Sequence, residues 1–577
     1  MKPQLELTEA REQLLSTTGN LIVLGGPGSG KTTIALVKAG HEIKAGAVGA
    51  TQKILFLSFA RATVSRVGQH AATMLTPSQL GLLEINTYHG FIWTLLRSHA
   101  YLLRGGEAIK LLPPPQAAAR LSNISGEVER TTEKRRLFAD EGLLHFDLFA
   151  EKAAELLSKS KALSSIISRA YPIIILDEFQ DTNSDEWNFI RNLSCKSRVL
   201  ALADAEQRIY EFRGADPKRI GEFIAEFTPD AFDFGTENHR SNGTDIGIYG
   251  NELLTGKNKG KKYTDVRVFM YGFYAGKHHL FPLKAFVLQS MKRLIGAELP
   301  EWSIAILVPT KQLMFQVSDY LDNNVDGFPP VQHEVALDSE APALAAVLIA
   351  SLLEGGTNPQ TISTRFLQNL CTHIRGRKGS KPPSQADLEL VNALEAYTTT
   401  GKIRGSKRKA VIDAVTALGE ARMVLKCTGD PALDWLTIRE MIYQSNVPAL
   451  QQIATDAKYL RLLHKGAVLR SALGELWRKT GTYQGAESAV RDALLQEHFS
   501  SSLKPWHGIH IMTIHKSKGK EFSEVVIYEG SHQGKIRREG CNESQSAQAL
   551  LALRVAVTRA MRKATILTPE RDPCPFL

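Results

Sequence analysis

Two stretches of the chain, GGPGSGKTT at Gly25–Thr33 and IIILDEFQDTN at Ile173–Asn183, decide the fold. The apolar run LIVLG leads into the first stretch and predicts a buried strand, and TTIALVKAGHEI after it predicts a helix. The glycine spacing lets backbone N–H groups surround phosphates, while Lys31 reaches the β and γ oxygens and Thr32 binds Mg²⁺. The residues predicted to contact the nucleotide in this loop are Gly26, Pro27, Gly28, Ser29, Gly30, Lys31, Thr32 and Thr33.

The second stretch ends an apolar strand in two adjacent carboxylates. Ligands bind beyond the carboxyl ends of the strands in open α/β sheets, so Asp177 and Glu178 are predicted to lie at the nucleotide. Asp177 suits Mg²⁺, directly or through water, and Glu178 suits orienting and deprotonating the attacking water. Together the two stretches predict hydrolysis of a nucleoside triphosphate.

The composition is that of a globular protein with several domains, at 577 residues and 43% hydrophobic content. The longest apolar run, ALAAVLIASLL at Ala343–Leu353, is shorter than the ~20 residues that span a bilayer and predicts a core helix. The N-terminus has no apolar signal region, so we expect a cytoplasmic location and no membrane partner. The five cysteines lie far apart, which argues against a zinc site, an iron–sulfur cluster or a disulfide scaffold. The net charge of +10 agrees with a polyanionic partner.

Alternating strand and helix patterns predict an α/β fold in two regions, each interrupted by a mainly helical insertion. The predicted first domain covers 1–88 and 146–231, with its insertion at 89–145. The second covers 232–354 and 504–577, with its insertion at 355–503. Three basic segments, at 256–263, 374–383 and 401–410, are either solvated loops or loops that contact phosphate.

Further segments follow in a characteristic order, and these are FLSFARATVSR from Phe56, NTYHGF from Asn86, LADAEQRIYEFRGA from Leu202, ENHRSN from Glu237, TIHKSKGKEF from Thr513 and LRVAVTRA from Leu553. With the first two stretches, they make the chain resemble the UvrD/Rep family of superfamily 1 DNA helicases. The resemblance implies two RecA-like P-loop domains that bind ATP and Mg²⁺ between them. It also implies single-stranded or tailed duplex DNA as the partner, and movement with 3′→5′ polarity.

On the nucleotide side, the resemblance implies that Gln207 senses the γ-phosphate and that Arg240 and Arg559 act as arginine fingers. Gly519 and Glu521 would lie beside the ribose and phosphates. The implied catalytic residues are Glu178, Asp177, Lys31, Gln207, Arg240 and Arg559.

On the DNA side, the family uses aromatic and histidine side chains, because stacking tolerates any base and contributes about 1–3 kcal/mol per base. For Phe59, core packing stays an equal alternative to a DNA contact. The implied DNA-contacting residues are Phe59, Thr87, His89, Tyr210, Phe212 and His515.

The chain departs from the family where the base is bound. Arg11 stands at the position of the glutamine that contacts adenine, and His239 replaces the tyrosine that stacks on it. Arg554 replaces a tyrosine of the last segment. We still expect Arg11 and His239 at the nucleotide, and relaxed base selectivity is a hypothesis that follows.

The biological role has several alternatives. The chain is compact, and compact relatives of this type act as helicase-like subunits of anti-phage systems such as Gabija, beside an OLD-family nuclease. DNA repair or anti-phage defence by an unwinding helicase is one alternative. A non-unwinding ATPase that senses DNA for a partner nuclease is the second, and a P-loop ATPase independent of DNA is the third.

Overall fold

The computed structural model describes most of the chain, namely residues 8–26, 28–59, 61–122, 124, 126–204, 218–235, 243–299, 301–335, 340–378, 383–458, 468–499, 507–531 and 534–577. The chain divides into two compact units. The sheet unit comprises Met1–Leu95, Ala150–Ala336 and Ser501–Leu577, and the helical unit comprises Leu96–Phe149 and Leu337–Ser500.

The strands, in chain order, are β1 Leu21–Leu24, β2 Ile54–Ser58, β3 Leu83–Thr87, β4 Lys110–Leu112, β5 Leu143–His145, β6 Ile173–Leu176, β7 Arg198–Ala203, β8 Asp230–Asp233, β9 Val266–Tyr271, β10 Ser303–Val308, β11 Glu334–Val335, β12 Gly508–Thr513, β13 Phe522–Tyr528 and β14 Ala560–Pro569. The two strands predicted from the apolar runs before the glycine-rich loop and before the paired carboxylates are therefore confirmed as β1 and β6.

The helices, in chain order, are α1 Glu9–Ser16, α2 Lys31–Lys44, α3 Arg61–Met74, α4 Pro77–Gly81, α5 Tyr88–His99, α6 Tyr101–Arg104, α7 Pro114–Arg120, α8 Glu127–Glu141, α9 Phe149–Lys159, α10 Lys161–Ala170, α11 Ser184–Leu193, α12 Arg219–Phe227, α13 Ile246–Thr255, α14 Phe281–Gly296, α15 Lys311–Asp322, α16 Glu340–Glu354, α17 Pro359–Gly376, α18 Gln385–Thr400, α19 Ser406–Val424, α20 Pro431–Tyr443, α21 Pro448–Lys458, α22 Val468–Thr480, α23 Ala486–Phe499 and α24 Glu543–Val557. The predicted helix after the glycine-rich loop is confirmed as α2. In the described parts of the chain, no helix is long and apolar enough to cross a membrane.

The first sheet has the strand order β3-β2-β6-β7-β1-β8, and its neighbouring strands run parallel. Strand β6 is buried along its whole length and β1 along most of it, as expected for parallel strands covered on both faces. Strand β7 separates β1, which leads into the glycine-rich loop, from β6, which ends at Asp177. The carboxyl ends of these strands therefore bring the two diagnostic stretches to one edge of the sheet.

The second sheet is also parallel, with the order β11-β12-β10-β13-β14-β9. Its core residues come from strands far apart in the chain, with Leu307 in β10, Val525 in β13 and Ile566 in β14 all buried. The two sheets confirm the α/β class with two RecA-like domains.

Two predicted boundaries differ from the structure. Strand β8 pairs with β1 in the register Leu21↔Asp230, so the first sheet continues to Asp233 and a boundary at 231/232 would cut a strand. Helix α16, expected to end the second α/β domain, instead packs its apolar residues in the core of the helical unit. Leu348 and Leu352 lie there with Leu370 and Trp435. Apolar burial therefore assigns α16 to the helical unit, which begins at Leu337 rather than 355.

Candidate functional site

The glycine-rich loop between β1 and α2 has a backbone that favours glycine. Gly28 and Gly30 have φ angles of 83° and 85°, in the left-handed region that side chains disfavour. Gly30 is the N-cap of α2, so the unpaired N–H groups of the first helical turn face the loop. The Lys31 ammonium donates to the carbonyl oxygens of Gly25, at 2.6 Å, and Gly26, at 2.9 Å. A cation and a helix N-terminus therefore meet at a ready-made anion site.

The neighbours of this loop leave little space. A Cβ at Gly25 would lie 2.7 Å from Ser29 Oγ and 3.2 Å from the Cβ of Phe234. The Gly26 N–H donates to the carbonyl of Gly235 at 2.9 Å, which ties the loop to the end of β8. The buried Ser29 hydroxyl has no hydrogen-bond partner among the described residues. The loop thus packs closely against the segment after β8, and the Ser29 hydroxyl inside it has no partner among the described residues.

Thr32 and Thr33 lie in the first turn of α2, where both are half-buried. Thr32 is therefore the second residue of α2, directly after Lys31 at the predicted anion site. Pro27 lies outside the described residues.

Asp177 follows β6 and is 5% exposed. The Ser58 hydroxyl at the end of β2 donates to Asp177 Oδ2 at 3.0 Å, and the Asp177 N–H donates to the Leu57 carbonyl at 2.8 Å. Burial raises the pKa of Asp177, as does the charge of Glu178, against the Ser58 hydrogen bond. A cation bound beside Asp177 would stabilise its ionised carboxylate. The Asp177 carboxylate and the Thr32 hydroxyl are oxygen ligands of the kind that Mg²⁺ prefers.

Glu178 has a φ angle of 54°, which is strained for a side chain with a Cβ. The side-chain amide of Gln180 donates to Glu178 Oε2 at 2.6 Å. Burial alone would raise the pKa of Glu178, but the positive charges of Lys518 and Lys31 and the Gln180 hydrogen bond lower it below its ordinary value. Glu178 is therefore ionised at neutral pH, as a proton acceptor must be.

A cation from the second sheet reaches the same carboxylates. Lys518, which follows β12, is 5% exposed and donates to Asp181 Oδ2, while its Nζ lies 4.0 Å from Glu178 Oε2. Burial raises the pKa of Asp181 to about 7, although Lys518 opposes the rise. Neither Lys518 nor Asp181 was predicted as a site residue. Both stood inside the quoted segments, and only their proximity reveals the pair.

Arg559 lies between the end of α24 and the start of β14 and is 1% exposed. Its guanidinium donates to the carbonyls of Val555, at 3.0 Å, and Lys520, at 3.4 Å, and its charge helps to lower the pKa of Glu178. The predicted arginine finger therefore lies within electrostatic range of the proposed base.

The predicted ribose and phosphate residues stand between the two sheets. Gly519 has a φ angle of 76°, and Glu521 forms an ion pair with Arg66 of α3. This ion pair is a second link, besides Lys518–Asp181, between the first sheet and the segment after β12. The roles of Gly519 and Glu521 toward nucleotide stay predictions.

Two arginines stand where the family pattern has other residues, Arg11 for a glutamine and Arg554 for a tyrosine of the last segment. Arg11 of α1 is 1% exposed, and its guanidinium carbon lies 5.1 Å from the centre of the Phe234 ring. Arg554 of α24 donates to Asn251 Oδ1 at 3.0 Å, and its Nη2 lies 4.0 Å from where a Cβ on Gly26 would stand. Both residues are thus buried, with Arg554 beside the glycine-rich loop and Arg11 against Phe234, which borders that loop.

Three of the four predicted DNA-side residues that the structure describes lie at the ends of β2 and β3. Phe59 is half-buried and stacks on Tyr88, with ring centres 4.3 Å apart and planes at 23°. The Thr87 hydroxyl accepts from the Gly90 N–H at 2.9 Å and caps α5, while His89 is half-buried. His515, after β12, is exposed. The remaining predicted site residues lie outside the described residues, and these are Gln207, Tyr210, Phe212, His239 and Arg240.

The raised pKa of Asp181 predicts a pH-dependent stability. The folded protein holds the Asp181 proton more tightly than the unfolded chain, whose aspartate pKa is near 3.8. This contribution to the free energy of unfolding is therefore fully present below pH 3.8 and is lost as the pH rises through about 7. We expect a loss on the order of 4 kcal/mol over this window, from three pKa units at about 1.4 kcal/mol each.

Urea unfolding of the wild type and of the Asp181→Asn variant between pH 4 and pH 8 measures this contribution. The variant should show a smaller decrease in the free energy of unfolding with pH. Equal slopes for the two proteins would contradict the prediction.

The two parallel sheets, the glycine-rich loop on β1 and the carboxylates after β6 define a RecA-like P-loop protein. Residues 7–140 and 115–228 match the UvrD/REP helicase N-terminal domain. These matches and the relatives below show that the chain is UvrD/Rep-like.

Three curated relatives illustrate the similarity. DNA helicase II of Haemophilus influenzae is 26% identical over 278 residues, which is 40% of this chain and 38% of the relative. DNA helicase II of Escherichia coli is 27% identical over 301 residues, covering 44% of this chain and 41% of the relative. ATP-dependent DNA helicase UvrD1 of Mycobacterium tuberculosis is 23% identical over 288 residues, covering 40% and 37%. The matched part of the chain thus spans about two fifths of the length of these relatives.

Proposed function

We propose that the chain is an ATP-dependent helicase or translocase on single-stranded DNA with 3′→5′ polarity. The observation that carries the proposal is the contact of Lys518 with the carboxylates after β6. A hydrolytic site completed by a residue of the second sheet depends on the arrangement of the two sheets, which is what a motor needs. Similarity to proteins named DNA helicase II and UvrD1 supports DNA as the partner.

The residues present fit a hydrolytic mechanism. Lys31 and the N–H groups of the loop bind the β and γ phosphates, and Thr32 and Asp177 would hold Mg²⁺. When bound, this ion neutralises charge that develops on the phosphate oxygens. Glu178, kept ionised by Lys518 and Lys31, orients the attacking water and accepts its proton on a carboxylate oxygen. Arg559 stabilises the charge on the transferring phosphoryl group.

DNA would bind where β2, β3 and β12 end. Phe59, His89 and His515 would grip the strand, with Tyr210 and Phe212 offering further stacking surfaces. Binding of ATP would close the cleft between the two domains, through Lys31, Gln207, Arg240 and Arg559, and hydrolysis would reopen it. The grip on the DNA strand would alternate with these two states. Helical insertions into the two RecA-like domains and a cytoplasmic location form part of the same proposal.

Strand displacement on 3′-tailed and 5′-tailed duplexes, together with ATP turnover with and without single strands, tests the function. Displacement of the 3′-tailed substrate alone supports the proposal. Strong stimulation of turnover without displacement would instead favour a DNA-sensing ATPase that regulates a partner such as an OLD-family nuclease. Absence of stimulation would leave a P-loop ATPase independent of DNA.

Nucleotide selectivity gives a separate prediction. Arginine donors suit the O6 and N7 acceptors of guanine, whereas adenine presents an N6 donor beside N7. With Arg11 and Arg554 beside the loop, we expect the kcat/KM values for GTP and ATP to agree within about tenfold, the size of one modest hydrogen-bond difference. Steady-state turnover of both nucleotides measures this ratio, and strict use of ATP would remove the hypothesis. In the Arg11→Gln variant, the preference should shift toward ATP.

A further inference from the structure

Tyr88 begins helix α5, directly after β3, and has a feature that the proposed mechanism does not use. Its side chain is 0% exposed, yet its hydroxyl has no hydrogen-bond partner among the residues that the structure describes. A buried polar group without a partner costs free energy, so such groups are rare in native proteins. The Tyr88 hydroxyl is therefore expected to gain a partner in another state of the protein.

The ring of Tyr88 lies against the predicted DNA-binding surface. It stacks on Phe59, with ring centres 4.3 Å apart. The parallel register of β2 and β3 pairs Ser58 with Thr87, so Phe59 and Tyr88 leave their strands side by side. Ser58, the residue before Phe59, donates to Asp177. The ends of the neighbouring strands β3, β2 and β6 thus carry, side by side, the stacked rings and the carboxylates proposed for hydrolysis.

The hydroxyl of Tyr88 lies within electrostatic range of the carboxylates of the site. Burial raises the pKa of Tyr88 well above its ordinary value, and the charges of Glu186, Asp177 and Asp181 raise it further. The hydroxyl is therefore protonated and can donate a hydrogen bond to an acceptor nearby. Asp181 Oδ1 is a buried acceptor that also has no hydrogen-bond partner within the described ranges. A donor and an acceptor, each unsatisfied, thus lie in the same buried region.

We propose that Tyr88 is a positioning residue that couples DNA binding at Phe59 to ATP hydrolysis. When a nucleobase stacks on Phe59, the Phe59–Tyr88 pair shifts and the Tyr88 hydroxyl donates to Asp181 Oδ1. Asp181 holds Lys518 through its other oxygen, and Lys518 stands beside Glu178. The new hydrogen bond fixes the carboxylate that positions Lys518 and so orders the hydrolytic site. This inference rests on the proposed function, because it requires turnover that DNA stimulates.

The Tyr88→Phe variant tests the proposal, because it keeps the stacked ring and removes only the hydroxyl. Turnover of ATP is measured over a range of single-stranded DNA concentrations for the wild type and the variant. The ratio of DNA-stimulated to DNA-free kcat is expected to fall about tenfold, as for the loss of one hydrogen bond. The KM for ATP and the half-stimulating DNA concentration should change by less than about twofold, because neither ligand contacts the hydroxyl. An unchanged ratio would overturn the proposal.

The Tyr249→Phe variant is the matched control. Tyr249 is also a buried tyrosine of the sheet unit, at 1% exposure, but it packs in the core beneath the second sheet. Its variant should keep the wild-type ratio, and a loss equal to that of Tyr88→Phe would mean that any buried hydroxyl affects stimulation.

A double-mutant cycle with Phe59→Leu separates coupling from independent effects. If the two residues act in one path, the double variant should lose no more stimulation than the more damaging single variant. Losses that multiply would overturn the coupling. A wild type without any stimulation by DNA would refute the proposed function itself, whereas a stimulated wild type with an equally stimulated Tyr88→Phe variant refutes only this inference.

Discussion

Replacement of Glu178 by glutamine is expected to lower ATP turnover by about three orders of magnitude, within the range for loss of a general base. The amide keeps the size of the side chain but cannot accept the proton of the attacking water. The variant should still bind nucleotide, because it leaves Lys31 and the N–H groups at the start of α2, which are proposed to hold the phosphates, unchanged. Steady-state phosphate release and a nucleotide-binding titration measure the two properties.

Glu226→Gln is the matched control for this variant. Glu226 lies in α12, where its exposed side chain forms an ion pair with Arg191 at 3.2 Å. An exposed ion pair contributes about 1 kcal/mol or less, so the control should keep its stability and its turnover. Turnover by Glu178→Gln at the wild-type rate would refute the assignment of the base.

Replacement of Lys31 by alanine is expected to have the second large effect, a loss of about two to three orders of magnitude in turnover. The ammonium supplies the charge that phosphate oxygens require, and it also donates to the carbonyls of Gly25 and Gly26. Nucleotide binding should therefore weaken together with turnover, which distinguishes this variant from Glu178→Gln. Isothermal titration with ATP and steady-state turnover measure both effects.

Lys44→Ala provides the control, because Lys44 is an exposed lysine in the last turn of the same helix, α2. Thermal unfolding of both variants checks that the sheet unit remains folded. Wild-type turnover in Lys31→Ala would contradict the whole phosphate-binding assignment.

Local chemistry explains why much of the fold could be predicted. A fully buried parallel strand is a short apolar run, and β1, β6 and β10 show this pattern without help from distant residues. The glycine-rich loop is equally local, since Gly28, Gly30 and Lys31 act within one turn. Such features can be predicted from one sequence because the residues that cause them lie within a few positions of each other.

Other features depend on partners far away in the chain and could not be predicted. The edge strand β8 has mostly exposed residues, so only its pairing with β1 assigns it to the first sheet. Helix α16 is apolar on nearly all sides, and such a helix indicates burial without showing which core receives it.

The sequence by itself determined which groups stand at the strand ends, namely Lys31, which is predicted to bind phosphate, and the carboxylate pair of Asp177 and Glu178. Only the tertiary structure decided what surrounds these groups. It brings Lys518 to Asp181 from the other sheet, and it buries the Tyr88 hydroxyl without a hydrogen-bond partner among the described residues. The physical reason is that motif residues act through their own backbone neighbours, whereas charge neutralisation and burial depend on contacts between residues hundreds of positions apart.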